Sequence, residues 1–216
     1  MKIIALVPAL LAAAVRATRK EEIMATTESS EHLTRRSIAF NRLLLAVIVA
    51  AAAALSLMQV AQAGPPPPVV PDAIKVPDGN KVFLVGHGVG VQIYSCNGVV
   101  WSFVAPRANL YNKHGKLIIT HLAGPTWEAK DGSTVVGRAE ASITVDPTAI
   151  PWLRLAAAST AAGPDGDRLV ATTYVQRIAT TGGLAPPAAE CNATTAGTVA
   201  EVPYTADYYF WKKTGA

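Results

Sequence analysis

From residue 80 onward, turn signals built on Gly, Asn and Asp recur roughly every 8–12 residues, a rhythm that suits β-sandwiches and β-barrels. Between them lie short runs rich in Val, Ile, Thr and aromatic residues, the types that fit a pleated, half-buried surface. The runs fall at residues 81–85, 89–94, 99–104, 108–111, 117–122, 126–129, 134–141, 168–178 and 204–211. Asn97-Gly98 is a strong tight-turn pair. Residues 112–116, which contain Gly115, and Lys130-Asp131-Gly132-Ser133 are further hairpin signals. Residues 142–145 continue the strand region before them. Residues 150–158 read as a strand, although Pro151 and the alanines permit a short helix. Residues 157–167 and 185–197 read as loops. The expected fold class is all-β, an antiparallel sandwich or barrel, preceded by an N-terminal hydrophobic helix that is a signal peptide or an anchor.

That N-terminal part has a different texture. Residues 42–63 read RLLLAVIVAAAAALSLMQVAQA, with no charge after Arg42. Arg35, Arg36 and Arg42 form a basic flank, and Ala61-Gln62-Ala63 is the small-x-small pattern of a signal-peptidase site. Gly64 and Pro65–Pro68 follow, and proline does not continue a helix. The reading is a leader over residues 1–63, cut after Ala63. The alternative is an uncleaved anchor over residues 43–63, which are enough to span a bilayer. The Arg35-Arg36 pair also resembles a twin-arginine motif, so Sec and Tat export both stay open. Met24 is an alternative start, because residues 24–63 alone make a complete leader. A proline-rich spacer over residues 64–73 and a single β domain over residues 74–216 complete the expected organisation. The expected location is periplasmic or extracellular.

The chain carries 19 Lys+Arg and 15 Asp+Glu. Seven of the bases and four of the acids lie in residues 1–63, which leaves twelve and eleven beyond. The remaining domain is nearly neutral, and nucleic-acid binding loses its electrostatic warrant. Both cysteines, Cys96 and Cys191, lie beyond the cut. Export to an oxidising compartment permits one disulfide between them. Their spacing excludes a CxxC redox pair and a cysteine-rich zinc site.

Several segments in order resemble one family. They are His121-Leu122-Ala123-Gly124-Pro125-Thr126-Trp127-Glu128, Asp131-Gly132-Ser133, Ile150-Pro151-Trp152-Leu153, Val175-Gln176-Arg177-Ile178, Thr180-Thr181-Gly182-Gly183, Cys191, and Val202-Pro203-Tyr204-Thr205-Ala206-Asp207-Tyr208. Over roughly residues 70–212 the chain is similar to the exported bacterial and fungal family known as domain of unknown function 3455 (DUF3455). The resemblance implies no assigned activity. Some fungal members bear a malate dehydrogenase label, which implies a nucleotide fold. Gly86-His87-Gly88-Val89-Gly90 has G-x-G-x-G spacing, and the β-like Val91-Gln92-Ile93-Tyr94 follows it. A dinucleotide site needs G-x-G-x-x-G and a helix N-terminus at that point. The sequence therefore speaks against the label, and the glycines read as a bulge or turn.

Other chemistry is no better supported. His87, His114 and His121 can meet on a zinc or copper if their strands converge, but there is no HxH and no HExxH. No metal is assigned, and the three histidines stand as an alternative only. Glu128, Asp131, Glu140 and Asp207 offer material for a carboxylate pair, yet general acid–base work needs two of them facing one cleft. There is no G-x-S-x-G, and Ser133 reads as a turn residue. Asn192-Ala193-Thr194 matches a glycosylation sequon, which matters only in a eukaryotic secretory pathway. Trp101, Trp127, Trp152, Tyr204, Tyr208, Tyr209 and Trp211 are many rings for a small domain, and most are expected in the core.

The candidate ligand site is Trp127, Glu128, Gln176 and Arg177. Arg177 is expected to pair with an acidic residue, with an anionic ligand as the alternative. No catalytic residue and no cofactor are assigned. The leading function is a non-catalytic ligand-binding or cell-envelope-associated module, its partner a small molecule, a glycan or an envelope protein. The alternative is a hydrolytic or metal-dependent extracytoplasmic enzyme. A membrane partner enters only through an uncleaved leader.

Overall fold

The computed structural model describes residues 64–215, so the leader, its cleavage and the N-terminal helix lie outside the described residues. Eight strands follow in order: β1 (Asn80–Cys96), β2 (Trp101–Tyr111), β3 (Leu117–Leu122), β4 (Thr126–Ala129), β5 (Thr134–Ile143), β6 (Trp152–Ala161), β7 (Thr172–Gly182) and β8 (Val199–Lys213). Each pairs antiparallel with the next, and β8 returns to pair with β1, which closes a barrel. Of the sandwich and the barrel, the chain adopts the barrel. No helix among the described residues is long and apolar enough to cross a membrane.

Strand alternation decides what fills the ring, because successive side chains point to opposite faces. Leu84, Leu110, Ile119, Val135, Leu155, Val175 and Phe210 come from seven strands and are buried together. An eight-stranded barrel is just wide enough for such side chains, or for one small ligand. The G-x-G-x-G segment supplies the inner face of β1. Gly86, Gly88 and Gly90 recur at the two-residue period of a strand. A Cβ on Gly88 would lie 2.7 Å from the Tyr208 ring, and one on Gly90 would lie 2.1 Å from the Arg107 carbonyl oxygen. These glycines let a ring and a neighbouring backbone approach closely.

This corrects the expected bulge or turn at that segment. Residues 81–85 and 89–94 form one continuous strand, and the irregularities in β1 lie at Val82/Leu84 and Ile93/Tyr94 instead. Residues 99–104 and 108–111 likewise merge into β2, through Pro106. The loop expected at residues 157–167 begins later, because β6 runs on to Ala161. The run at 168–178 starts later than expected. Val170 and Thr172 donate backbone N–H groups to Asp167 and Leu169, which is a turn, and β7 opens at Thr172. The strand reading of residues 150–158 holds from Trp152 onward.

A disulfide joins Cys96, at the end of β1, to Cys191, in the β7–β8 connection. The segment at the end of the expected spacer, residues 72–76, is strapped to the barrel's outer wall. A short 3-10 turn, Asp72–Ile74, carries a fully buried Ile74. Gln176 Nε2 donates to the Ile74 carbonyl at 2.7 Å, and Trp211 Nε1 donates to Gln176 Oε1 at 2.9 Å. Arg154 Nη1 donates to the Lys75 carbonyl. Residues Gly64–Ala216 make one compact unit.

Two outcomes follow from these contacts. Gly90→Ala forces a methyl into the β2 backbone and should cost about 1–3 kcal/mol, the usual range for overpacking. Val89→Ala, on the outer face and 56 % exposed, should change stability by less than about 0.5 kcal/mol. Urea unfolding of both variants checks the contrast, and equal effects would contradict the inward placement of the glycines. The disulfide closes a loop with a sequence separation of 95. Replacing both cysteines by serine should cost about 2–5 kcal/mol in the same assay.

Candidate functional site

One end of the barrel is not filled. It is the end where β2 and β6 begin, where the β3–β4 turn crosses, and where the disulfide sits. A cavity of about 230 Å³ opens there. Its walls are largely apolar: Phe103 and Val104 from β2, Pro125 from the β3–β4 turn, and Leu153 and Leu155 from β6. Phe103, Val104 and Ala139 are exposed and mark the mouth. His121, Trp127, Arg177 and Tyr208 also line it.

These four are brought together by register. His121 and Trp127 are directly opposed across the β3–β4 hairpin. Their rings stack with centroids 4.4 Å apart, and Tyr208 meets both edge-on. Arg177 is opposed to Tyr208 on β8 and to Leu153 on β6. His121 Nδ1 lies 2.9 Å from the Thr126 carbonyl oxygen, which can only accept, so Nδ1 carries the proton. Burial lowers the His121 pKa to about 4, so the ring is neutral at pH 7. Burial pushes the Tyr208 phenol well above its usual value, with Tyr204 adding to the rise and Arg177 opposing it. The Tyr204 and Tyr208 hydroxyls lie 2.9 Å apart.

Arg177 differs from the expectation. It makes no ion pair among the described residues. Its Nη2 donates to the Pro151 carbonyl at 2.8 Å, while its buried Nε has no hydrogen-bond partner. The Trp127 indole N–H is also buried without a partner. Buried polar groups are rarely left so, and each unpaired donor carries a desolvation cost.

The other candidates divide by face. Trp127 and Arg177 look into the cavity, whereas Glu128 is exposed on the outer wall. Gln176 is fully buried beneath the Ile74 strap, where both its polar atoms are engaged. Adjacent residues of a regularly paired strand point to opposite faces, so neither 127/128 nor 176/177 forms a joint wall. The histidines are also apart: His87 pairs outside with Asp207 at 2.6 Å, His114 sits in the β2–β3 turn, and His121 lies inside. Among the described residues no group of three or more His, Cys, Asp or Glu side chains is placed to hold a metal.

The carboxylates do not face one cleft. Asp131 Oδ1 accepts from the Ser133 hydroxyl at 2.6 Å, and its Oδ2 accepts from the Arg168 backbone N–H. Glu140 pairs with Arg138 and Arg154. Trp127, Tyr204 and Tyr208 are buried in the core as expected, Trp211 is buried on the outer wall under the strap, and Trp101, Trp152 and Tyr209 are half-buried. His121 was legible as an interior residue in the hairpin itself: two short runs joined by residues 123–125 set it opposite Trp127. Tyr208, Leu153 and the Phe103 lip had no such local signal.

His121 makes the site pH-sensitive. Its folded pKa lies below the ordinary value of 6.5, so the unfolded chain binds the proton first. The stabilisation from the neutral ring is complete above about pH 6.5 and is lost as pH falls toward 4, at about 3 kcal/mol in all. His121→Phe should flatten the difference in unfolding free energy between pH 7 and pH 4.5. An unchanged pH dependence in that variant would count against a buried neutral imidazole.

Comparison with family models matches residues 77–212 to a family described as Protein of unknown function (DUF3455), and the chain belongs to it. No curated protein and no solved structure matches the chain.

Proposed function

We propose that this DUF3455 protein is an exported, non-catalytic β-barrel that binds a small molecule in its interior cavity. The observation that carries the reading is the unfilled barrel end, with apolar walls around a few convergent polar groups. Small-molecule sites have this composition, and the mouths of β-barrels are one of their usual places. A filled core would have closed that end with side chains, as the opposite half of the barrel does.

The non-catalytic part is supported by the state of the ionisable groups facing the cavity. His121 is a poor proton acceptor, since its pKa is about 4 and general bases act best near the working pH. The carboxylates Glu128, Asp131, Glu140 and Asp207 are engaged or exposed away from it. A glycan is a poorer occupant than a compact apolar molecule, because the walls offer few hydrogen-bonding groups. An envelope protein is the remaining alternative, with the exposed Phe103–Val104 lip as its contact. Export is supported by the disulfide, which persists in oxidising compartments, together with the leader pattern of residues 1–63.

The test is a thermal-shift screen of small metabolites against the purified protein, with Ala139→Phe as the variant that fills the mouth. A ligand present at a hundred times its Kd adds about 2.7 kcal/mol. For a domain near 150 residues that raises Tm by roughly 5–11 °C. The expected result is a set of compounds that shift the wild type and leave Ala139→Phe unmoved. Shifts equal in both proteins would place binding elsewhere and overturn the reading.

A further inference from the structure

We infer that the occupant of the cavity is a small organic monoanion, a single apolar ring or short branched chain bearing one carboxylate, with that carboxylate on Arg177. This rests on the small-molecule reading above and names the class of ligand.

Charge is the first argument. The Arg177 guanidinium stays protonated in proteins. It is half-buried in the lining with no acid beside it, and its Nε is buried and unpaired. The acids that could have neutralised it are committed on the outer wall. Glu140 holds Arg138 and Arg154, Glu201 holds Arg107, and Asp207 holds His87. The remaining ionisable lining groups, His121 and Tyr208, are neutral at pH 7. The cavity therefore carries one uncompensated positive charge. A cation withdrawn from water needs a partner, and an arginine fork fits a carboxylate through two parallel hydrogen bonds.

Size and shape narrow the class. The volume is about 230 Å³. An apolar cavity of about 150 Å³ takes benzene, and drug-sized ligands need about 300 Å³ or more. One substituted ring or a short branched chain lies between those limits. The walls beside Arg177 suit its apolar body: Leu153 is directly opposed to Arg177, and Leu155, Pro125 and Val104 close the sides. Inorganic phosphate would satisfy the charge and leave these walls empty. A neutral ring would fill the walls and leave the charge unpaired.

The experiment titrates benzoate, phenylacetate and 3-methylbutanoate into the purified protein, with benzyl alcohol as the uncharged counterpart. Calorimetry and the tryptophan indole N–H resonances report binding. At least one carboxylate should bind 1:1, ten-fold or more tighter than benzyl alcohol. Arg177→Gln should bring that carboxylate down to the level of the alcohol. Arg177→Lys, which keeps the charge and loses the fork, should fall between the two. It also keeps the test open if the glutamine variant does not fold. Equal affinity for acid and alcohol, or carboxylate binding that survives Arg177→Gln, would overturn the anion assignment and leave the small-molecule reading standing. Failure of all four probes, together with no uptake of xenon into the cavity, would overturn both.

Discussion

β1 and β8 hydrogen-bond to each other along almost their whole length, from Asn80 opposite Lys213 to Ser95 opposite Val199. That seam removes the last two edges of the sheet, and with them the unpaired N–H and C=O groups that an open sheet leaves exposed. It also requires the middle of one strand face to be free of side chains. The inner face of β1 carries Gly86, Gly88 and Gly90, and Tyr208 of β8 lies against Gly88. Larger residues there would push β8 and β2 away from β1. The position of Tyr208, the ring cluster around it and the cavity beside it all depend on this seam.

The two halves of the barrel interior are built differently. Toward the start of β1 and the end of β8, aliphatic side chains and Phe210 fill the lumen. Toward the disulfide, a stacked His121–Trp127 pair, two hydrogen-bonded tyrosines and one arginine replace them. Such groups are costly to bury, since each donor or charge must leave water. A chain selected only for a stable core would gain by placing aliphatic residues there. The retained polar groups, together with unfilled space next to a half-buried cation, set this end apart from the filled half. The disulfide holds the β1–β2 end against the β7–β8 connection at the same end, so it braces the rim rather than the filled half.

The strap formed by residues 72–76 shows how close a fully buried polar residue can come to mimicking a ligand site. Gln176 lies next to Arg177 in sequence and stands with it in the candidate site. Its amide instead bridges the Ile74 carbonyl and the Trp211 indole on the outside of the barrel. The candidate site of Trp127, Glu128, Gln176 and Arg177 therefore mixes inner and outer residues. The two-residue period of a strand separates 127 from 128 and 176 from 177 without any structure, so that part of the site is legible in the sequence.

What the sequence determined by itself is local. Turn residues with defined backbone preferences, β-branched runs between them and two cysteines were enough for an all-β domain with one disulfide. The hairpins at residues 117–129 and 126–141 follow from short-range chemistry, as does the opposition of His121 and Trp127. Ring closure came only with the tertiary structure, because β1 and β8 are more than a hundred residues apart and nothing in either run names the other as partner. The cavity is a still more collective result. Leu153, Arg177 and Tyr208 lie on three strands, and their shared level in the lumen is set by the summed registers of β6, β7 and β8. Sequence patterns record which face a residue prefers, while the height at which it enters the barrel is decided by strand stagger and closure.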